Sequence, residues 1–219
     1  GSGATVLGPV LAALPAPRLT ALLTGLGLSA AAGLNAWAIL LLFNGLFLVL
    51  PQEFPGSTSA LLSSHFAVTA AIVLFLAEFV ADKIPHVDHV WNLAQTLLRP
   101  AVGALLMLAA VPDPSPAERV GLIAAGAAAT LATHFVKATS RLTSTAATRG
   151  MAQMALSLAE DAVALALGAL VFFVPWFTAL FVVALLVLLV LDRRRVGRAV
   201  RVLFFRLKHP RRALADARR

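Results

Sequence analysis

The chain has 219 residues, 60% of them hydrophobic and 13% charged, with a formal net charge of +8. A mean hydropathy of +0.89 at this length excludes a water-soluble domain and marks an all-α, polytopic membrane helix bundle. With no cysteine, neither a disulfide framework nor a thiolate metal site is available.

In chain order, Gly1-Ser2-Gly3 reads as a cloning scar. Val6 to Leu14 is an apolar piece cut off by Pro15 and Pro17, too short for a hydrocarbon core of about 30 Å. Residues 1–18 are therefore expected to be interfacial, and they lack the basic n-region of a secretory signal. From Leu19 to Leu50 runs a stretch longer than the ~20 residues one crossing needs. Its first half, LLTGLGLSAAAGLNA, is rich in glycine and alanine. Two readings stay open: a tilted helix with a small-residue packing face, or a helix broken near Gly33 whose freed backbone groups line a cavity beside Asn35.

Pro51 to Ser64 is a polar, proline-bounded loop. A second span is expected over His65 to Lys83, a third from Leu97 to Val111, ended by PDPSPAE, and a fourth over Val120 to Lys137. Met154 to Leu191 is too long for one crossing at about 1.5 Å per residue, and Pro175-Trp176 is the natural turn between two short spans. Six crossings result, in a transmembrane bundle over 19–191. Alternate connections then hold Arg18, Lys83, Arg99, Lys137, Arg141, Arg149 and the basic tail on one side, and Arg119 alone on the other. The positive-inside rule predicts that both termini are cytoplasmic.

The tail, residues 192–219, carries eleven of the eighteen basic residues, with Val200, Leu203, Phe204 and Leu207 at helical spacing among them. Such a basic amphipathic helix is expected on anionic lipid headgroups rather than on nucleic acid, because a tail tethered at a membrane meets lipid first.

The apolar chain is interrupted most strongly between Ala77 and Pro100, which holds Glu78, Asp82, Lys83, Asp88 and Arg99. Charges at membrane depth are costly and mark a functional site by default. Glu78 and Asp82 are four apart, so on a helix they share a face, and either one keeps its proton or a cation lies between them. Glu160 and Asp161 open the fifth span, where a helix N-terminus favours negative charge. The expected ion- or solute-binding set is Asn35, Glu78, Asp82, Lys83, Arg99, His134, Lys137, Arg141, Glu160 and Asp161. The competing reading is a buried salt-bridge network that only fixes helix register.

A weak internal repeat aligns Glu78-Phe79-Val80 with His134-Phe135-Val136, and Arg99-Pro100-Ala101-Val102 with Glu160-Asp161-Ala162-Val163. It reads as a parallel repeat of helical hairpins or as chance similarity between alanine-rich helices. His86, Asp88 and His89 offer imidazole and carboxylate to a transition metal, or are simply solvated. GxSxG, HExxH and P-loop patterns are all missing, so no catalytic residue and no cofactor are predicted.

The segments GLSAAAGLNAW, EFVADKIPHVDHVWN, LLRPAVGALL, THFVKATSR and SLAEDAVAL together resemble the bacterial membrane family catalogued as domain of unknown function forty-one twenty-six. The resemblance covers roughly Leu26 to Val174. It implies a small multi-span protein of the bacterial inner membrane, with Asn35, Glu78, Asp82, Lys83, Asp88, Arg99, Lys137, Glu160 and Asp161 on the family's polar motif positions. It implies no activity.

The function expected is therefore a transporter or channel for a small ion or solute, with its polar site in the cytoplasmic half of the bundle. The alternatives are a membrane enzyme or carrier acting on a lipid phosphate, supported by the basic cytoplasmic rim, and a structural or partner-binding membrane protein. Glycine- and alanine-rich faces favour close helix packing and homo-oligomers.

Overall fold

The computed structural model describes residues 17–54, 57–81, 85–148 and 153–191. The expected interfacial segment before residue 17 and the basic tail from 192 onward lie outside them. The described residues form α1 (Pro17–Ala32), α2 (Ala36–Val49), a 3-10 turn (Pro51–Glu53), α3 (Ser57–Leu62), α4 (His65–Ala81), α5 (Pro85–Ala110), α6 (Pro116–Thr148), α7 (Gln153–Phe173) and α8 (Trp176–Leu191). No strand occurs among them.

Local chemistry sets several boundaries. Ser115 and Glu118 form a capping box at the start of α6: Glu118 N donates to Ser115 Oγ at 3.3 Å and Ser115 N donates to Glu118 Oε2 at 2.8 Å, with Pro116 at the first helical position. Asn35 caps α2, its Oδ1 accepting from Ala38 N at 2.9 Å from an extended backbone (φ −148, ψ 102). Two helices run further than hydropathy predicts. α5 starts at Pro85 rather than Leu97, and α6 continues to Thr148 rather than Lys137, because polar residues end an apolar run without ending a helix.

The stretch from Leu19 to Leu50 is two helices, broken at Gly33 and Leu34. The direction taken after the break is read from α7. Asp161 meets Asn35 at the break, Gly168 abuts Ile39 and Leu42 of α2, and Val171, one turn further, abuts Gly27 of α1. Both helices thus leave the break along the same stretch of α7, and α1 with α2 forms a hairpin. Its open ends lie at one end of the bundle, where Arg18 pairs with Glu118 at 2.5 Å, Phe54 packs on Phe172 at 5.5 Å and Ser59 Oγ donates to the Ala109 carbonyl at 2.9 Å.

This corrects the expected single crossing over Leu19 to Leu50. It also moves Arg18 to the same end as Arg119. α1 and α2 have 16 and 14 residues; at about 1.5 Å per residue they reach about 24 and 21 Å, so the two arms of the hairpin are similar in length. The helices α4 to α8 run alternately along the bundle. Across the Val174-Pro175 turn, Val171 and Thr178 both return to Gly27, which fixes α8 as antiparallel to α7.

Small residues bring the backbones close. A Cβ on Gly103 would lie 1.8 Å from Thr130 Oγ1 and one on Gly126 would lie 2.5 Å from the Gly103 carbonyl, so α5 and α6 meet at these glycines, as small-residue packing requires. Leu28, Trp37, Phe43, Phe54, Leu106 and Val171 form the apolar core. Outward-facing positions are also apolar: Phe66 is 85% exposed and Leu48 81%. The stretches Pro116–Ala138 and Ala155–Phe173 are long and apolar enough to cross a membrane.

Candidate functional site

A helix that stops leaves its last carbonyls without intrahelical donors, and at the end of α1 these must be satisfied inside the protein. Gly33 is wedged against α6, where a Cβ would lie 2.4 Å from the Thr130 carbonyl and 2.9 Å from His134 N. Only glycine fits this approach. The two carbonyls of the reversal then receive buried cations. Arg99 Nη1 donates to the Gly33 carbonyl at 2.9 Å, and Lys137 Nζ donates to the Leu34 carbonyl at 2.5 Å.

Each cation is paired with acid from another helix. Arg99, fully buried within α5, forms a short charge-assisted bond through Nη2 to Glu78 Oε1 of α4. Lys137 lies 3.4 Å from Glu160 Oε2 of α7 and 3.8 Å from Glu78 Oε1. Asp161 Oδ1 accepts from Asn35 Nδ2 at 2.8 Å, which turns the other end of that amide toward Ala38 N as the cap of α2. His134 bridges the group, its Nδ1 2.8 Å from Arg99 Nη1 and its Nε2 3.0 Å from Thr96 Oγ1.

Of the residues expected from sequence, the fold therefore gathers Asn35, Glu78, Arg99, His134, Lys137, Glu160 and Asp161 around the hairpin apex. Asp82 and Lys83 lie outside the described residues, as do the side chains of His86, Asp88, His89 and Arg141. Among the described residues no group of three His, Asp or Glu is placed to hold a metal ion. The expected helix-dipole role of Glu160 and Asp161 is corrected. α7 begins at Gln153 with no acid in its first turn, so both carboxylates sit about two turns in, beyond the reach of its N-terminal dipole.

Supporting polar residues escaped the sequence reading. Thr130 Oγ1 donates within reach of the Ser29 and Gly126 carbonyls at 2.7 and 2.9 Å, and Ser29 Oγ within reach of the Gly25 and Gly103 carbonyls, both at 2.7 Å. The fully buried Gln95, with its amide oriented by its donors, accepts from the indoles of Trp37 at 2.8 Å and Trp91 at 3.1 Å. The signal available was spacing: Thr130, Thr133, His134 and Lys137 recur at three- and four-residue steps, one face of a helix.

A family model for a domain of unknown function, DUF4126, matches residues 22–195. The chain belongs to this family. The DUF4126 match begins inside α1 and ends beyond α8, so it contains the hairpin apex and every charged residue gathered there. No curated protein and no solved structure matches the chain.

Proposed function

We propose that this DUF4126 protein is an integral membrane protein of transport type, in which the hairpin apex and its charged residues form the site for a small ion or solute. The observation that carries the reading is the pair of apex carbonyls, Gly33 and Leu34, held by Arg99 and Lys137. Interrupted helices meeting charged side chains at membrane depth are the device by which transporters build ion and substrate sites. Glu78, Glu160 and Asp161 supply acceptors for a proton or cation, and Arg99 and Lys137 neutralise them between binding events.

In the proposed topology α4 to α8 make five crossings, and the α1–α2 hairpin is re-entrant from one face. By chain order, this topology assigns the connections and tail that hold Lys83, Lys137, Arg141, Arg149 and the eleven basic residues of 192–219 to the apex side, against Arg18 and Arg119 on the other. The apex end is then cytoplasmic and the membrane the bacterial inner membrane. The basic tail lies on anionic headgroups, the glycine-rich faces favour a homo-oligomer, and the hairpin repeat of α4–α5 with α6–α7 belongs to the same proposal.

The test is thermal stability of the purified chain, Glu78→Gln and Asp161→Asn across protons and monovalent and divalent cations, together with ion flux in proteoliposomes. A ligand at a hundred times its Kd raises stability by about 2.7 kcal/mol, and the amide variants are expected to lose that gain. A second reading, a salt-bridge scaffold without transport, is favoured by the opposite partners found for Arg99 and Lys137. It prevails if no ion stabilises the parent, both variants melt well below it, and no flux appears.

A further inference from the structure

One hydrogen bond in the cluster specifies a protonation state. A guanidinium offers donors and no acceptor, so the contact of 2.8 Å between Arg99 Nη1 and His134 Nδ1 requires Nδ1 to accept. The ring proton then sits on Nε2, 3.0 Å from Thr96 Oγ1. The neutral Nε2–H tautomer is the form that satisfies these two contacts.

We infer that His134 is the proton-binding group of this site, and that its protonation detaches Arg99 from the imidazole and loosens the hairpin apex. The inference rests on the transport reading, and within it names the proton as the coupling ion. A proton on Nδ1 sets N–H against N–H across 2.8 Å and places a cation beside a cation, so one of the two groups must move. The same Nη1 that meets His134 also donates to the Gly33 carbonyl. A shift of Arg99 that clears the imidazolium therefore disturbs the bond that holds the apex, while Nη2 keeps Arg99 tethered to Glu78.

The charged groups of the cluster that contains His134 give the proton a place in the charge balance. α4 presents Glu78, α5 presents Arg99 and Thr96, α6 itself carries Lys137, and α7 presents Glu160 and Asp161. α1 contributes the Gly33 carbonyl, and α2 begins with the neutral cap Asn35. Among the described residues, three carboxylates face two cations, and an imidazolium at His134 brings the two signs level.

The chain has no cysteine, so a single cysteine reports without background. The experiment places Leu34→Cys at the apex of the full-length protein in detergent and follows its labelling by a polar maleimide from neutral to acidic pH. The same measurement is made with His134→Asn added, which keeps an acceptor for Arg99 and cannot titrate. Taking the ratio of the two rates cancels the thiol's own pH dependence. The expected result is a ratio that rises several-fold on acidification, together with an Nε2–H tautomer for His134 by nitrogen NMR at neutral pH. A flat ratio, or an Nδ1–H tautomer, overturns the inference.

If His134→Asn fails to fold, the nitrogen titration of the parent decides. An imidazolium signal that appears in step with a rise in the labelling rate relative to that of the same thiol in the unfolded chain supports the inference; such a rise with His134 still neutral overturns it. Flux is measured separately: pH-dependent labelling of the apex without flux removes the transport reading and leaves the proton site, whereas flux without that labelling response removes only the proton site.

Discussion

The ammonium of Lys137 donates to the carbonyl of Leu34 at 2.5 Å, so a helix from the second half of the chain closes the reversal made in the first. The same ammonium lies 3.4 Å from Glu160 and 3.8 Å from Glu78. A main-chain carbonyl and two carboxylates are the ligands a small cation would take, and here the cation is part of the protein. Lys137→Met leaves the carboxylate of Glu160 without this cation, and breaking one side of a buried pair costs about 3–5 kcal/mol. The expected outcome is a large fall in the melting temperature of the detergent-solubilised protein; an unchanged melt would mean that Lys137 is solvated rather than clamped.

Gly33 and Gly45 provide a matched pair. A Cβ on Gly33 would lie 2.4 Å from the backbone carbonyl of Thr130, whereas one on Gly45 meets nothing within 4 Å. Gly33→Ala is expected to destabilise by about 1–3 kcal/mol through forced backbone movement. Gly45→Ala should be neutral or stabilising by up to about 1 kcal/mol, because alanine loses less backbone entropy in a helix. Thermal unfolding of both variants checks the pair, and equal losses would contradict the apex packing.

Cysteine accessibility distinguishes the hairpin from a single crossing. Pro17 and Gln52 are both exposed and flank the two arms. Pro17→Cys and Gln52→Cys are expected to react with an impermeant reagent from one face of the membrane, and Leu191→Cys from the other. Reaction of Pro17→Cys and Gln52→Cys from opposite faces would restore a single crossing over this stretch.

Asn35 joins the cap of α2 to Asp161 through one amide. Asn35→Asp keeps the capping oxygen but turns the donor facing Asp161 into a second carboxylate, so the variant should melt below the parent at neutral pH. Asn35→Ser keeps a capping oxygen without adding a carboxylate, and an equal deficit in that variant would place the cost in the cap rather than in the Asp161 contact. Asn35→Ala removes both interactions, with about 1 kcal/mol expected from the cap alone.

The sequence by itself determined the helical, apolar character of the chain, the break at Gly33 beside Asn35 as one of two readings, and most of the apex residues. The reason is local: apolar runs and glycine-rich interruptions are visible without knowing the fold, and the few charges in such a chain are driven to meet. Glu78, Arg99, Lys137, Glu160 and Asp161 were legible on that ground alone.

Only the tertiary structure decided where the chain goes after the break. A helix interrupted at Gly33 can continue or turn back with the same local sequence, and the choice rests on contacts from Gly168 and Val171 in α7. The Lys and Arg count depends on that choice: a single crossing separates Arg18 from Arg119, whereas the hairpin sets Arg18 beside Glu118. The donors to the freed carbonyls were hidden for the same reason. Arg99 and Lys137 reach Gly33 and Leu34 across 66 and 103 positions of sequence, and hydrophobic periodicity reports which face of a helix is buried, not which distant backbone group it will meet there.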